Sequence, residues 1–163
     1  MARIAFKAGE EYALKLSKLA AGSEGIAKNA LYAAGEIVAN EVRKNLEALP
    51  EEKYRRLRDG ESFDGLSAGQ KQDLSESFGV TKIKLSKDGF WNVKIGFDGY
   101  GRFPTKKYPN GLPNQLLARA VESGSSVRQK HPFVRPAVNA TKKAAVEAMQ
   151  QVIDEEIEKT MKG

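Results

Sequence analysis

The chain contains no cysteine, which excludes disulfides and thiolate-held metal. It has one histidine, His131, set between Lys130 and Pro132, so no His pair can hold a metal and no His–His proton relay exists. No apolar run approaches the length of a membrane span, and no charged-then-apolar leader is present. The expectation is a protein made in the cytoplasm that contacts no membrane. The glycine-rich stretches GFDGYG and SGSS lack the Lys-Ser/Thr step and the strand-to-helix setting of a phosphate loop. There is no Gly-x-Ser-x-Gly elbow, and acidic pairs such as Glu155 and Glu156 belong to a charged helix face. These absences predict a protein that is not an enzyme and uses no cofactor.

What is present fits one domain of 163 residues, long enough for a single core. The formal net charge of +6 and pI near 9.4 invite a nucleic-acid reading. Lys and Arg are nevertheless interleaved with Asp and Glu along the whole chain, as on a solvated mixed-charge surface.

Ile4 and Phe6 alternate, as in a short strand or arm. Tyr12, Leu16 and Leu19 mark one face of a short helix, interrupted at Gly22, Ser23 and Gly25. A longer helix is predicted from about Glu24 to Leu49, with Ile26, Ala30, Ala33, Ala34, Ile37, Val38, Val42 and Leu46 on its apolar face and Pro50 as its stop. Its alanines allow close approach, and it is expected to pack across a sheet. Residues 51–65 read as a charged linker or exposed arm, with Tyr54, Leu57 and Phe63 as anchors. There Arg55, Arg56 and Arg58 are offset by Glu51, Glu52, Asp59 and Glu61. Ser67 has the position of an N-cap for a short helix through Phe78.

Alternation over 80–86 and 90–97 around Asp88-Gly89 predicts an antiparallel hairpin. Thr81, Ile83 and Leu85 share one face of the first strand, and Trp91, Val93, Ile95 and Phe97 one face of the second. Trp91 is expected in the core. A Gly- and Pro-rich loop follows at 98–113, in which Tyr100, Phe103 and Tyr108 alternate with Arg102, Lys106 and Lys107. This composition suits stacking on single-stranded nucleic acid, and it equally suits a finger docked on a neighbouring subunit.

Asn114 is a plausible N-cap for a helix carrying Leu116, Leu117, Ala120 and Val121 on one face, and Gly124 suits its left-handed stop. HPFVRP then sets Phe133 and Val134 between two prolines, each of which restricts itself and the residue before it. Pro136 suits the first turn of a final helix to about Met161. Val138, Ala145, Met149, Val152, Ile153 and Ile157 form the expected inward stripe of that helix. The predicted fold class is α+β: an antiparallel β-hairpin or small sheet packed against two long helices, with extended loops.

Val121, Glu122 and Gly124, followed by Pro132, Phe133, Arg135, Pro136 and Ala137 and then a long amphipathic helix, carry a resemblance. The pattern resembles the neck, or tail-completion, proteins of long-tailed phages, although Ser123 stands where that family has a bulky apolar residue. The order of elements extends the likeness over most of the chain. The resemblance implies a single head–tail connector domain over 1–163, with a charged arm near 51–65 and a long loop at 98–113. It implies a non-enzymatic virion protein at the head–tail junction, assembling as a ring for which a hexamer is favoured. Its implied neighbours are head-closure or connector proteins and tail-terminator or tail-tube proteins, with genomic DNA passing through the lumen without sequence-specific binding. On this footing the candidate subunit interface comprises Tyr100, Arg102, Phe103, Lys106, Lys107 and Tyr108, with Arg119 and Glu122 as cross-subunit ion-pair candidates. Phe133, Val134, Arg135, Pro136, Trp91 and Ile153 are the motif and core residues. The alternatives are a small basic nucleic-acid-binding protein and a tail-assembly factor absent from the finished particle.

Overall fold

Two long helices frame the molecule: α1 (Ala2–Glu47) and α4 (Val134–Lys162). The computed structural model describes residues 2–163, with side chains from Ala13 onward. The expected strand or arm at Ile4 and Phe6 is helical backbone instead, and those side chains, with that of Tyr12, lie outside the described residues. The expected break at Gly22, Ser23 and Gly25 is absent too. Glycine costs a helix only about 1 kcal/mol, and here it is flanked by the strong helix formers Ala20, Ala21, Glu24 and Ala27. The chain leaves the helix after Glu47, and Pro50 prevents its resumption.

α4 begins beside the end of α1, where the Asn45 side-chain amide donates to the Phe133 carbonyl at 3.1 Å, and it runs back along α1. Small residues let the two approach: Ala30 and Ala34 are buried on α1, and Ala137, Thr141 and Ala145 on α4. The Thr141 hydroxyl is satisfied by the Ala137 carbonyl at 2.6 Å. The main partner of the alanine face is therefore α4 and not the sheet, which meets α1 around Gly35 through Val80, Val93 and Ile95. The inward line of α4 also differs from the predicted one. Val138 is exposed, and Ile153 remains 37% exposed, so Ile153 is not a core residue.

Between these helices come α2 (Ala68–Ser77), β1 (Phe78–Val80), β2 (Lys84–Leu85), β3 (Trp91–Asn92), β4 (Ile95–Phe97) and α3 (Asn114–Ser123), which makes the class α+β. Ser67 caps α2 as expected, and the cap is reciprocal: Ser67 Oγ accepts the Gln70 N–H, while the Gln70 side chain accepts the Ser67 N–H. The hairpin forms, but in two antiparallel ladders of different register. Val80 faces Ile95 and Phe78 faces Phe97, whereas Leu85 faces Trp91. Three residues, 81–83, therefore oppose two, 93–94, which is a bulge. Thr81 sits at it, donating its N–H to the Lys94 carbonyl and accepting the Lys94 N–H on its hydroxyl, so it leaves the apolar face assigned to it. The slip turns Phe78, Val80, Ile95 and Phe97 toward the core and leaves Leu85 exposed and Trp91 half-buried, with Lys28 over its ring at 5.2 Å. Trp91 thus lies at the margin of the core. The turn is a three-residue loop with Gly89 at φ +82°.

The core centres on Phe133, with Leu46, Leu66, Leu74 and Val42 fully buried around it. The Phe97 ring bridges it to the sheet, tilted against Phe78 at 5.1 Å and edge-on to Phe133 at 5.9 Å.

Candidate functional site

The motif resolves into a clasp. The first four N–H groups of a helix have no partner within it. In α4 the Glu122 carboxylate, from the last turn of α3, accepts those of Phe133 (2.8 Å), Val134 (2.9 Å) and Arg135 (2.9 Å). Pro136 has no N–H to satisfy, so the whole helix start is accounted for. This corrects the start of α4 from Pro136 to Val134, and it gives Glu122 a role within the chain as the cap of that helix. Partial burial pushes the Glu122 pKa up. The N–H groups of Val134, Arg135 and Phe133, followed by the charge of Arg135, outweigh that and hold it below the usual glutamate range. Gly124 at φ +78° turns the chain out of α3, and the His131 N–H bonds the Val121 carbonyl at 2.8 Å. Phe133 is buried as the plug, Val134 is half-buried, and Arg135 and Pro136 are exposed.

The loop 98–113 is tied to its own domain at the root. The Gly101 N–H donates to the Leu112 carbonyl at 2.8 Å, and Asp73 accepts both the backbone N–H of Arg102 (2.9 Å) and its Nε (2.8 Å). Arg102 is therefore engaged within the chain. Asn114 is not an N-cap: Pro113 takes that place, and the buried Asn114 amide donates to the Asp98 carbonyl at 2.9 Å. Beyond the root, Lys106 and Lys107 are exposed on a turn closed between Thr105 and the half-buried Tyr108, and Tyr100 is 66% exposed. Gly111 has φ +103°, and a Cβ there would collide with the Gly101 carbonyl oxygen. Gly111→Ala is expected to cost about 1–3 kcal/mol and to strip hydrogen-exchange protection from 101–113. Unchanged protection would show that the root is not held at this contact.

Residues 51–65 fold back instead of projecting as an arm. Leu66 and Pro50 pair through Leu66 N–H to Pro50 carbonyl at 3.0 Å, and Phe63 exchanges backbone bonds with Val127 and Gln129. Arg55 is neutralised by Glu52 and Glu61, as the composition suggested. This folding back opens a groove of about 450 Å³ lined by Tyr54, Phe63, Phe103, Pro104, Val127 and Arg128. Tyr54 is 84% exposed yet stacks on Phe63 at 5.8 Å, and Phe103 packs over Gly69. At the floor, Arg128 lies 5.6 Å from the Phe63 ring centre and donates to the Gly65 carbonyl and, at 3.4 Å, to Gln70 Oε1. It has no ion-pair partner among the described residues, and burial pulls its pKa down against the opposing charge of Glu52.

The predicted interface thus divides. Phe103 joins this groove. Arg119 instead lines a separate apolar cleft of about 540 Å³ between α1, α3, α4 and β4, with Glu122 and Arg135 beside it and no residue of 98–113. Sequence reasoning missed Val127 and Arg128, which lie in a stretch read only as polar and basic. The signal for the groove was the aromatic pair Tyr54 and Phe63 in an otherwise charged segment. Among the described residues no helix is long and apolar enough to cross a membrane. Comparison of the chain with family models, curated proteins and solved structures found no match.

Proposed function

We propose that this chain is a non-enzymatic virion protein of the head–tail junction of a long-tailed phage, assembling into a ring that helps join or complete the tail. Its neighbours are then head-closure or connector proteins above and tail-terminator or tail-tube proteins below, with DNA threading the lumen. The observation that carries the reading is the Glu122 clasp. The residues on which the resemblance rests converge on one corner, where Val121, Phe133 and Ala137 are buried and Glu122 sets the start of α4. Such a corner fixes a long helix rigidly against a small body, as a structural building block requires. Mass spectrometry of purified particles tests the proposal. Peptides of this chain are expected at a fixed ratio to the other junction proteins. Their absence from particles, with the chain present in the producing cells, would leave the assembly-factor reading.

The net charge of +6 favours a second reading as a nucleic-acid binder, with exposed Lys106 and Lys107 as contacts. We expect only weak DNA binding without sequence preference, falling steeply with added salt. Submicromolar binding that survives moderate salt would promote the nucleic-acid reading instead.

A further inference from the structure

α4 carries a second apolar line. Val146, Ile153 and Ile157 are exposed and recur at spacings of seven and four, which places them on one face. That face lies away from Ala137, Thr141 and Ala145, which meet α1. From Glu147 to Glu158 the helix holds five carboxylates and no Lys or Arg, on a chain whose formal net charge is +6. Asp154 and Glu156 have no ion-pair partner among the described residues. The aromatic groove offers the complement: exposed Tyr54, Phe103 and Val127 around half-buried Arg128, which has no ion-pair partner among the described residues although Glu52, held by Arg55, also lines the groove. The two features cannot meet within one molecule. The groove lies where α1 ends and α4 starts, and the 29 residues of α4 carry its far end about 40 Å away.

We propose that the groove receives the C-terminal half of α4 from a second copy of this chain, with Ile153 and Ile157 among the aromatic rings and Asp154 or Glu156 reaching Arg128. This deepens the ring reading and rests on it. A largely aromatic surface whose one cation without an ion pair is Arg128, and whose Glu52 is already paired with Arg55, is better matched by an acidic-apolar helix than by nucleic acid, whose backbone would need several cations. Because groove and helix are different surfaces, the contact is heterologous. It propagates head to tail, closing into a ring if its rotation permits and running on as a filament otherwise.

The absence of native cysteine makes the test direct. Val127→Cys and Ile157→Cys both sit at exposed positions and leave the core intact. Under mild oxidation the double variant is expected to give a ladder of disulfide-linked dimers and larger species, while each single variant stays largely monomeric. Mixing the two single variants should stop at dimers. A double variant that cross-links no more than the singles, while the wild-type chain assembles in solution, would overturn the groove pairing and leave the ring reading intact. A ladder obtained instead with Arg119→Cys and Ile157→Cys would move the contact to the other cleft and equally overturn it. A wild-type chain that stays monomeric at every concentration, yet is found in particles, would place a different protein in the groove. A chain both monomeric and absent from particles would remove the function reading as well.

Discussion

Phe133→Ala is expected to lower stability by about 3–5 kcal/mol, the range for truncating a fully buried aromatic side chain. Phe133 is 1% exposed, meets Phe97 of the sheet edge-on, and belongs to one buried core with Val42 and Leu46 of α1 and Ala137 of α4. Its removal leaves a void that rigid helices on both sides cannot close. Urea midpoints would measure the loss. The same series should include Trp91→Ala and Ile153→Ala, for which the hydropathy pattern alone predicts comparable losses of roughly 2–5 kcal/mol. The structure revises both downward. Ile153 is already 37% exposed and should cost about 1 kcal/mol or less, and half-buried Trp91 about 1–2 kcal/mol. A Phe133→Ala midpoint equal to wild type would show that the plug is not part of the core.

Glu122→Ala should cost about 2–4 kcal/mol, since it removes three charge-assisted hydrogen bonds at once. Water can replace the carboxylate at the exposed Arg135 N–H, but poorly at the part-buried N–H groups of Phe133 and Val134. Glu122→Gln should fall between, because a neutral amide presents one acceptor oxygen where the carboxylate presents two. The pH dependence has a definite sign. The folded pKa of Glu122 is lowered, so the unfolded chain binds the proton more readily. Its stabilisation is therefore complete above the ordinary glutamate value of about 4.3, and it is lost as the pH falls from there through the lower folded value. Wild type should accordingly lose more stability on acidification than Glu122→Gln. Parallel pH curves for the two proteins would mean that Glu122 does not cap α4 in solution.

The cap at Ser67, the turn at Asp88-Gly89 and the stop at Gly124 are all decided by neighbours within a few residues. Their signals are steric or involve hydrogen bonds across one turn of chain, so the amino-acid order alone determines them. Other features depend on energies too small, or partners too distant, for local reading. Whether α1 crosses Gly22 and Gly25 turns on about 1 kcal/mol per glycine. One inserted residue at 81–83 moves Thr81 off the apolar face and leaves Trp91 at the margin of the core. α4 carries two apolar lines, and the small residues of α1 select the one containing Ala137, Thr141 and Ala145 because only side chains of that size admit close helix contact. A carboxylate at position 122 can pair across a surface as readily as cap a helix. Its role is settled by Gly124 and Pro132 steering residues 133–135 onto it from the far side of a loop. The aromatic groove likewise exists only because residues 51–65 fold back on Val127, a contact between segments more than sixty residues apart that no periodicity encodes.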